Sequence, residues 1–501
     1  MEVKLLQLEN TKNSSRTDSK TLPRDLKLET ILDIIAGKDL YLKRLCSNIL
    51  LNPSICKEEI IKRQAILKDG IHQPEVFFHI YTSASDALEK ISGYDDIAKQ
   101  KYSYIIPASK KILTQVEIAK IGLEYVKTIC NCIHMKVVSS PVLSDFFKEL
   151  LCFYDEDFFV SADRQLKALT VLKETDAIVV GGHLGGGLKL SEVMLHQILS
   201  EVPQKKAKKG FISLGKKETK VYEIKIENPT IENQVREITD SSLYWILKTI
   251  NDLNHSVRYL LEQLRDQFGF YCGGINLYRW LLAKKVPVCF PEVNLCNTFT
   301  YTDLSDIFLW IKEGHATANS IAVKEKRNWI ITGANQGGKT TFLRSLGIAQ
   351  LMAQSGYIVA AKQYQCPLYQ SIYTHFPEEE DTTLRHGLLE QELVKLNAII
   401  THILPGSLLL LNESFATTTE YDANYLARQL FYGLSESGIV IFYVTHNYEF
   451  SHSFYTEQRQ DTIFLRAQRT SEGLRTYKLS EGEPIKSGYA MDLCKDILID
   501  H

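Results

Sequence analysis

Along the first half of the chain, apolar positions recur every three or four residues, and after about residue 320 they come in short unbroken runs. Leu26, Leu28, Ile31, Leu32, Ile34 and Ile35 form one helical face, and Lys57–Lys68 repeats the spacing. Longer mixed-charge helices are expected over Pro107–Cys132, Ser161–Thr175 and Glu232–Phe268. With helical texture continuing through about residue 200 and few strand signals, this part reads as a rod-like body. Residues 1–23, polar apart from an apolar patch at Val3–Leu8, read as a flexible tail. Residues 203–230 interrupt the helices, and the alternation over Lys220–Ile226 predicts a strand or hairpin there. Pro287, Pro291 and the polar stretch Asn294–Thr302 predict a linker.

The later runs have a different meaning. Trp329–Thr332 is a short apolar strand entering a glycine-rich turn, and Thr340–Met352 is a helix. Ser407–Leu411 and Gly438–Thr445 are apolar throughout, as expected of central parallel strands buried on both faces, with a helix over Glu420–Ser435 between them. Alternating strands and helices predict a parallel sheet with crossover helices. The expected order is a tail (1–23), a mostly helical domain (24–293) and an α/β domain (294–501).

Composition narrows this picture only a little. At 501 residues, two or three domains are expected, and 45% hydrophobic with 24% charged residues fits a soluble globular chain. A formal net charge of −2 gives no global basic field, so any contact with nucleic acid must come from local charge. The ten cysteines follow no repeated spacing, and no secretory leader stands at the start, which points to a reduced, cytoplasmic setting. No window approaches 18 apolar residues, so no membrane span is expected.

Three motifs carry chemistry. In Gly333-Ala334-Asn335-Gln336-Gly337-Gly338-Lys339-Thr340, glycines let backbone N–H groups turn inward around phosphate oxygens, and the next helix points its positive end there. Lys339 supplies a cation for the β- and γ-phosphates, and the Thr340 hydroxyl is a hard ligand for Mg²⁺. Asn412-Glu413 ends an apolar run 73 residues after Lys339. Asn412 can accept a hydrogen bond from metal-bound water, and Glu413 can orient the attacking water. Thr445-His446 ends the next strand, where the imidazole can contact a γ-phosphate or serve only structure. Lys205, Lys206, Lys208, Lys209, Lys216 and Lys217 form a run that suits either DNA phosphates or a solvated loop. The acidic run Glu378–Asp381 reads as a solvated loop.

Ile330–Arg344 resembles the phosphate loop of the MutS family of mismatch-repair ATPases, including an Asn inside the loop at Asn335. Thr317-Ala318-Asn319 is similar to the motif the family places beside the nucleotide. Asn412–Asp422 resembles its Walker B strand and following loop, and Val444–Phe450 its histidine switch. Glu392 falls where the family has a Glu on the preceding helix. Less sharply, Glu58–Asp69, Phe268–Tyr271 and Pro287–Pro291 resemble parts of its core and lever.

The resemblance implies an α/β P-loop ATPase, a parallel sheet flanked by helices, preceded by a mostly α-helical core/lever domain. It implies ATP and Mg²⁺ as cofactors, held by Asn319 and by Gly333 to Thr341, with Thr341 following Thr340. Thr340 and Asn412 stand at the metal, and Glu413 and His446 are catalytic. A homodimer would complete each site with Gly387, Thr417, Thr418 and Thr419 of the opposite subunit. The implied partner is duplex or branched DNA, which would associate the protein with the nucleoid. The departures are equally specific. Asn412 replaces the family's Asp, Gly387 replaces a Ser and Ala316 an adenine-packing aromatic. A core starting near residue 24 leaves no room for a mismatch-reading domain. The expected function is an ATP-driven dimeric switch on DNA structures rather than single mispairs. The alternatives are a nucleotide-switched scaffold with little hydrolysis, and an ATPase that remodels RNA or protein.

Overall fold

A computed structural model of the chain describes residues 5–6, 21–101, 108–134, 136, 138–173, 177–184, 190–199, 229–296, 298–334, 336–377, 387–416, 418–470 and 474–485. A mostly helical N-terminal region is followed by a region of mixed parallel and antiparallel sheets. The helices are α1 (Thr21–Asp25), α2 (Leu28–Ala36), α3 (Leu40–Leu50), α4 (Lys57–His72), α5 (Pro74–Lys101), α6 (Ala108–Ile133), α7 (Pro141–Phe153), α8 (Glu156–Leu169) and α9 (Pro229–Ala283). Strands β1 (Ala177–Leu184) and β2 (Leu190–Leu199) stand between α8 and α9.

The chain forms two compact units, one from Phe78–Val137 with Ser144–Asp266 and one from Lys4–Phe77, Val138–Leu143 and Gln267–His501. The stretch 24–293 therefore contributes to both.

In the first unit, α6 buries Ile112, Val116, Ala119, Leu123, Val126 and Ile133 along one face. A Cβ added at Gly122 would stand 2.7 Å from Val257 of α9, so a larger residue would push the helices apart. Asn254 of α9 donates through Nδ2 to the Gln115 carbonyl at 2.9 Å. The uninterrupted helical texture expected to about residue 200 is corrected here, because β1 and β2 pair antiparallel. Ile178-Val179-Val180 is a β-branched run that favours a pleated strand.

The second unit holds two sheets. The six-stranded sheet runs β12-β11-β6-β10-β9-β8, from β6 (Asn328–Thr332), β8 (Ile372–His375), β9 (Leu408–Asn412), β10 (Val440–Val444), β11 (Thr462–Arg469) and β12 (Arg475–Glu481). All its pairs are parallel except β11–β12. A four-stranded sheet runs β3-β7-β4-β5, from β3 (Glu292–Asn294), β4 (Thr298–Leu304), β5 (Asn319–Lys324) and β7 (Gln363–Pro367). The linker expected over Asn294–Thr302 is thus mostly strand. Phe299, Tyr301 and Leu304 of β4 are buried and the intervening polar residues are only half-buried, which is why the stretch looks polar in sequence. Helices α10 (Ile307–Glu313), α11 (Lys339–Ser355), α12 (Leu388–His402), α13 (Glu420–Glu436) and α14 (Tyr448–Thr456) complete the unit.

Every residue of β6, β9 and β10 is buried, and alternate side chains serve different cores. Ile330, Leu409, Leu411, Ile441 and Tyr443 pack with Phe431, Phe450 and Phe454 of α13 and α14. From the other face Trp329 stacks on Phe442 with centroids 4.5 Å apart, and Phe299 of β4 meets both rings. The early helices join this unit too, since a Cβ on Gly347 of α11 would come within 2.7 Å of Leu26. Within the stretch read as a tail, Leu5 and Leu6 are buried, and their carbonyls accept from Tyr271 Oη at 3.2 Å and the Arg63 guanidinium at 2.9 Å. The alternation at Lys220–Ile226 and the acidic run at 378–381 lie outside the described residues. Among the described residues no helix is long and apolar enough to cross a membrane.

The Trp329–Phe442–Phe299 cluster joins the two sheets through aromatic area. Phe442→Ala should destabilise the second unit by about 3–5 kcal/mol through the cavity it leaves. Urea unfolding monitored by tryptophan emission checks this, and a midpoint equal to that of the unmutated chain would mean the sheets do not depend on this contact.

Candidate functional site

Strands β6, β10 and β9 are neighbours and run parallel, with Val444 level with both Ile331 and Asn412. Their C-terminal ends therefore open at one edge, where ligands of open α/β sheets bind. The glycine-rich turn, Asn412-Glu413 and Thr445-His446 leave from these three ends.

The turn after β6 is shaped by backbone freedom. Gly333 has φ 130°, and a Cβ there would lie 2.8 Å from the Ala467 side chain and 3.0 Å from its backbone nitrogen. Gly338 has φ 88° and occupies the N-cap of α11, so the helix N-terminus faces the turn. Gln336 is left-handed at φ 58°, and its Oε1 accepts from Arg475 of β12 at 2.8 Å. Gly337 N donates to Ala334 O at 3.2 Å.

Lys339 opens α11 and is buried. Its Nζ donates to the carbonyls of Gly333 at 3.0 Å and Ala334 at 2.8 Å. Burial pulls its pKa down to about 8, opposed by the Glu413 carboxylate. The ammonium is thus held by neutral carbonyls, with too little negative charge nearby to offset its desolvation. Next to it the Thr340 hydroxyl donates to Asn412 Oδ1 at 3.0 Å, which brings two oxygens from different strand ends together.

Glu413 Oε1 and His446 Nε2 are 2.9 Å apart. That hydrogen bond, with smaller help from the charges of His446 and Lys339, holds the Glu413 carboxyl below its ordinary range despite partial burial. Glu392 of α12 accepts from Phe415 N at 2.7 Å and so braces the turn after β9.

A cavity of about 400 Å³ joins these groups, a size suited to a small ligand. Gln336, Gly337, Gly338, Lys339, Thr340, Thr341 and Glu413 line it, together with Leu304, Leu309, Thr317, Asn319 and Tyr477. Asn319 also ties strands together, since its Oδ1 accepts from Leu479 N at 2.8 Å. Asp306, which caps α10, receives Arg344 Nε at 2.7 Å and thereby fixes that helix to α11.

The structure thus brings together Asn319, Gly337, Gly338, Lys339, Thr340, Thr341, Glu413 and, through its bonds, Gly333, Ala334, Asn412 and His446. The residues expected from an opposite subunit are not in this cavity's lining. Gly387 is exposed at the N-cap of α12, Thr418 N donates to Phe415 O at 3.5 Å, and Thr419 caps α13. Asn335, Thr417, Lys205, Lys206, Lys208, Lys209, Lys216 and Lys217 lie outside the described residues. Sequence reasoning missed Tyr477, Arg475 and Asp306. No spacing links them to the loop, because sheet order rather than chain order brings them there. Among the described residues no cluster of three or more His, Cys, Asp and Glu side chains could hold a metal.

Comparison with known proteins agrees in both halves. Residues 56–284 match the MutS2 N-terminal domain and residues 329–497 match MutS domain V. The chain is 27% identical over 172 residues to the DNA mismatch repair protein MutS of Acholeplasma laidlawii, covering 32% of this chain and 20% of that protein. It is 31% identical over 141 residues to that of Shouchella clausii, covering 28% and 16%. With the endonuclease MutS2 of Streptococcus thermophilus it shares 28% identity over 266 residues, 47% of this chain and 31% of the relative. The matched segments span about a third or less of these relatives. Carrying MutS-type domains on both sides of residue 300, the chain belongs to the MutS/MutS2 family.

Proposed function

We propose that the cavity is an ATP site of the P-loop type, and that ATP binding and hydrolysis drive a dimeric switch on DNA. The observation that carries this is Lys339. A buried ammonium, bonded only to loop carbonyls at the N-terminus of α11, is a place prepared for phosphate. The relatives named as mismatch repair proteins and as an endonuclease supply the link to DNA.

The residues fit Mg²⁺ as well. Thr340 Oγ1 and Asn412 Oδ1 are hard oxygens 3.0 Å apart, and Mg²⁺ is ordinarily held by few protein groups plus substrate phosphates and water. When bound, the ion supplies charge neutralisation at the β- and γ-phosphates. Lys339 leaves the loop carbonyls for phosphate oxygens, and the loop's backbone N–H groups bind the rest. Glu413, kept ionised by His446, accepts a hydrogen bond from the attacking water and orients it in line. His446 then has a choice of partner, Glu413 or a terminal phosphate oxygen, which makes it a sensor of the nucleotide state. Gly387 and the threonines 417–419 complete the site across a homodimer, and the helical region transmits closure to the DNA.

A second reading is a nucleotide-switched dimeric scaffold with slow turnover. Asn412 favours it, because a neutral amide stands where a carboxylate would attract the metal.

Lys339→Ala should abolish ATP turnover, and a purified variant that still releases phosphate at the original rate would sink the site assignment. Glu413→Gln should keep ATP bound and unhydrolysed, and in sedimentation with ATP it should run as a dimer. A monomer under those conditions would exclude the composite site.

Asn412→Asp separates the two readings. A carboxylate beside the metal should lower the Mg²⁺ concentration needed for half-maximal turnover. An unchanged Mg²⁺ titration would remove Asn412 from the metal's surroundings.

For DNA, affinity should be alike for matched and singly mispaired duplexes and should fall with salt at a log–log slope of about −0.9 per neutralised phosphate. Replacing Lys205, Lys206, Lys208 and Lys209 with Ala should flatten that slope. Identical slopes before and after would leave those lysines a solvated loop.

A further inference from the structure

The turn that carries Glu413 is strained, and its surroundings hold it at successive peptides. Glu413 (φ 52°) and Phe415 (φ 66°) both adopt the left-handed conformation, which costs about 1–2 kcal/mol for each. Such a shape persists only where neighbours over-determine it. Glu413 N donates to Val444 O at 2.8 Å, Tyr443 Oη donates to Ser414 O at 3.0 Å, and Phe415 N donates to Glu392 Oε1 at 2.7 Å. The remaining tie joins two side chains. Ser414 Oγ and His375 Nδ1 are 2.9 Å apart, each on a residue only 6% exposed.

His375 is the last residue of β8 and pairs in parallel register with Leu411, one residue before Asn412. It is fixed by the sheet, whereas Ser414 belongs to the turn. The bond therefore anchors the strained segment to the rigid edge strand. Burial, reinforced by the charges of Lys395 and Arg24, pushes the imidazole pKa down to about 4, so the ring is neutral near pH 7.

We propose that His375 is a positioning residue for Glu413, fixing through Ser414 the left-handed turn that aims the carboxylate at His446 and the cavity. This rests on the ATPase reading for its consequence on turnover, but the anchoring of the turn does not. A pair that served only stability would affect folding and leave the chemistry of the folded enzyme alone. A positioning pair affects turnover while nucleotide binding persists, because Lys339 and the glycine loop lie on a different strand end.

The test uses the full chain with Mg²⁺-ATP. His375→Ala and Ser414→Ala should each lower kcat roughly 10- to 100-fold, with ATP affinity changed by less than about threefold. The double variant should be no slower than the worse single, since both remove one hydrogen bond. His375→Asn, which keeps an amide near the Nδ1 position, should restore much of the rate. Hydrogen exchange at the Glu413 to Ala416 amides should quicken in both Ala variants and not elsewhere in the sheet. Ser414→Ala removes a single oxygen and serves if His375→Ala does not fold. Rates equal to the unmutated chain in both Ala variants would overturn the proposal, as would a matching loss of ATP affinity. If the unmutated chain itself shows no Mg²⁺-dependent turnover, the ATPase reading fails separately. The exchange of the 413–416 amides then decides, and unchanged protection in the variants would overturn the anchoring.

Discussion

The site depends on one constraint, the parallel in-register pairing of β6, β10 and β9. A parallel sheet sends the C-terminal ends of its strands to one edge, and here those ends are level at Ile331, Val444 and Asn412. Three turns far apart in sequence are then forced into one small volume. Antiparallel pairing would have sent the C-terminal end of the central strand β10 to the opposite edge and separated His446 from Lys339 and Glu413. The apolar character of these strands is what makes the pairing unavoidable. Each is buried on both faces, so its apolar side chains have no solvent-facing alternative to a central place in the sheet.

Level strand ends also concentrate backbone strain. Gly333 and Gly338 absorb positive φ without penalty, but Gln336, Glu413 and Phe415 do not. Around Glu413 and Phe415 the strain is met by hydrogen bonds from β10, α12 and β8, each from an element already fixed by the aromatic and aliphatic cores on the two faces of the sheet. The packing of residues such as Phe431 and Phe450 thus bears on the direction of a carboxylate they do not touch. Asp306 and Arg344 do the same for the other wall of the cavity, joining α10 to the helix that begins with Lys339.

Periodicity revealed the elements whose burial is uniform. The runs at 329–332, 407–411 and 438–445 became β6, β9 and β10 within a residue or two, because strands buried on both faces leave an unbroken apolar signature. Strand β4 escaped notice because its alternate side chains are polar, and β1 and β2 because glycines surround them. The residues of the glycine-rich turn were legible because Gly333, Gly337, Gly338 and Lys339 follow an apolar run at close spacing. Tyr477, His375 and Ser414 were not, as their proximity comes from sheet order and leaves no spacing to detect. Leu5 and Leu6 show the same limit, since the apolar patch Val3–Leu8 is too short to set a period, yet the core takes these two in.

Asn412 sets the electrostatics of the whole cleft. Lys339 is buried, the Glu413 carboxylate raises its proton affinity, and Glu413 already interacts with His446. A carboxylate at position 412 would add negative charge beside Thr340 and offset part of the burial cost of Lys339. The neutral amide does not, so the cleft keeps an ammonium whose desolvation is poorly balanced. A polyphosphate relieves that imbalance directly, whereas a divalent cation alone would add to it. On the ATP-site reading proposed above, nucleotide and metal would enter together, with the phosphates bringing the charge that residue 412 lacks. On that reading turnover would gain less than binding, because the second-strand contact to the metal would rest on a single neutral oxygen. On the ATP-site reading, Asn412 therefore favours nucleotide binding over rapid turnover.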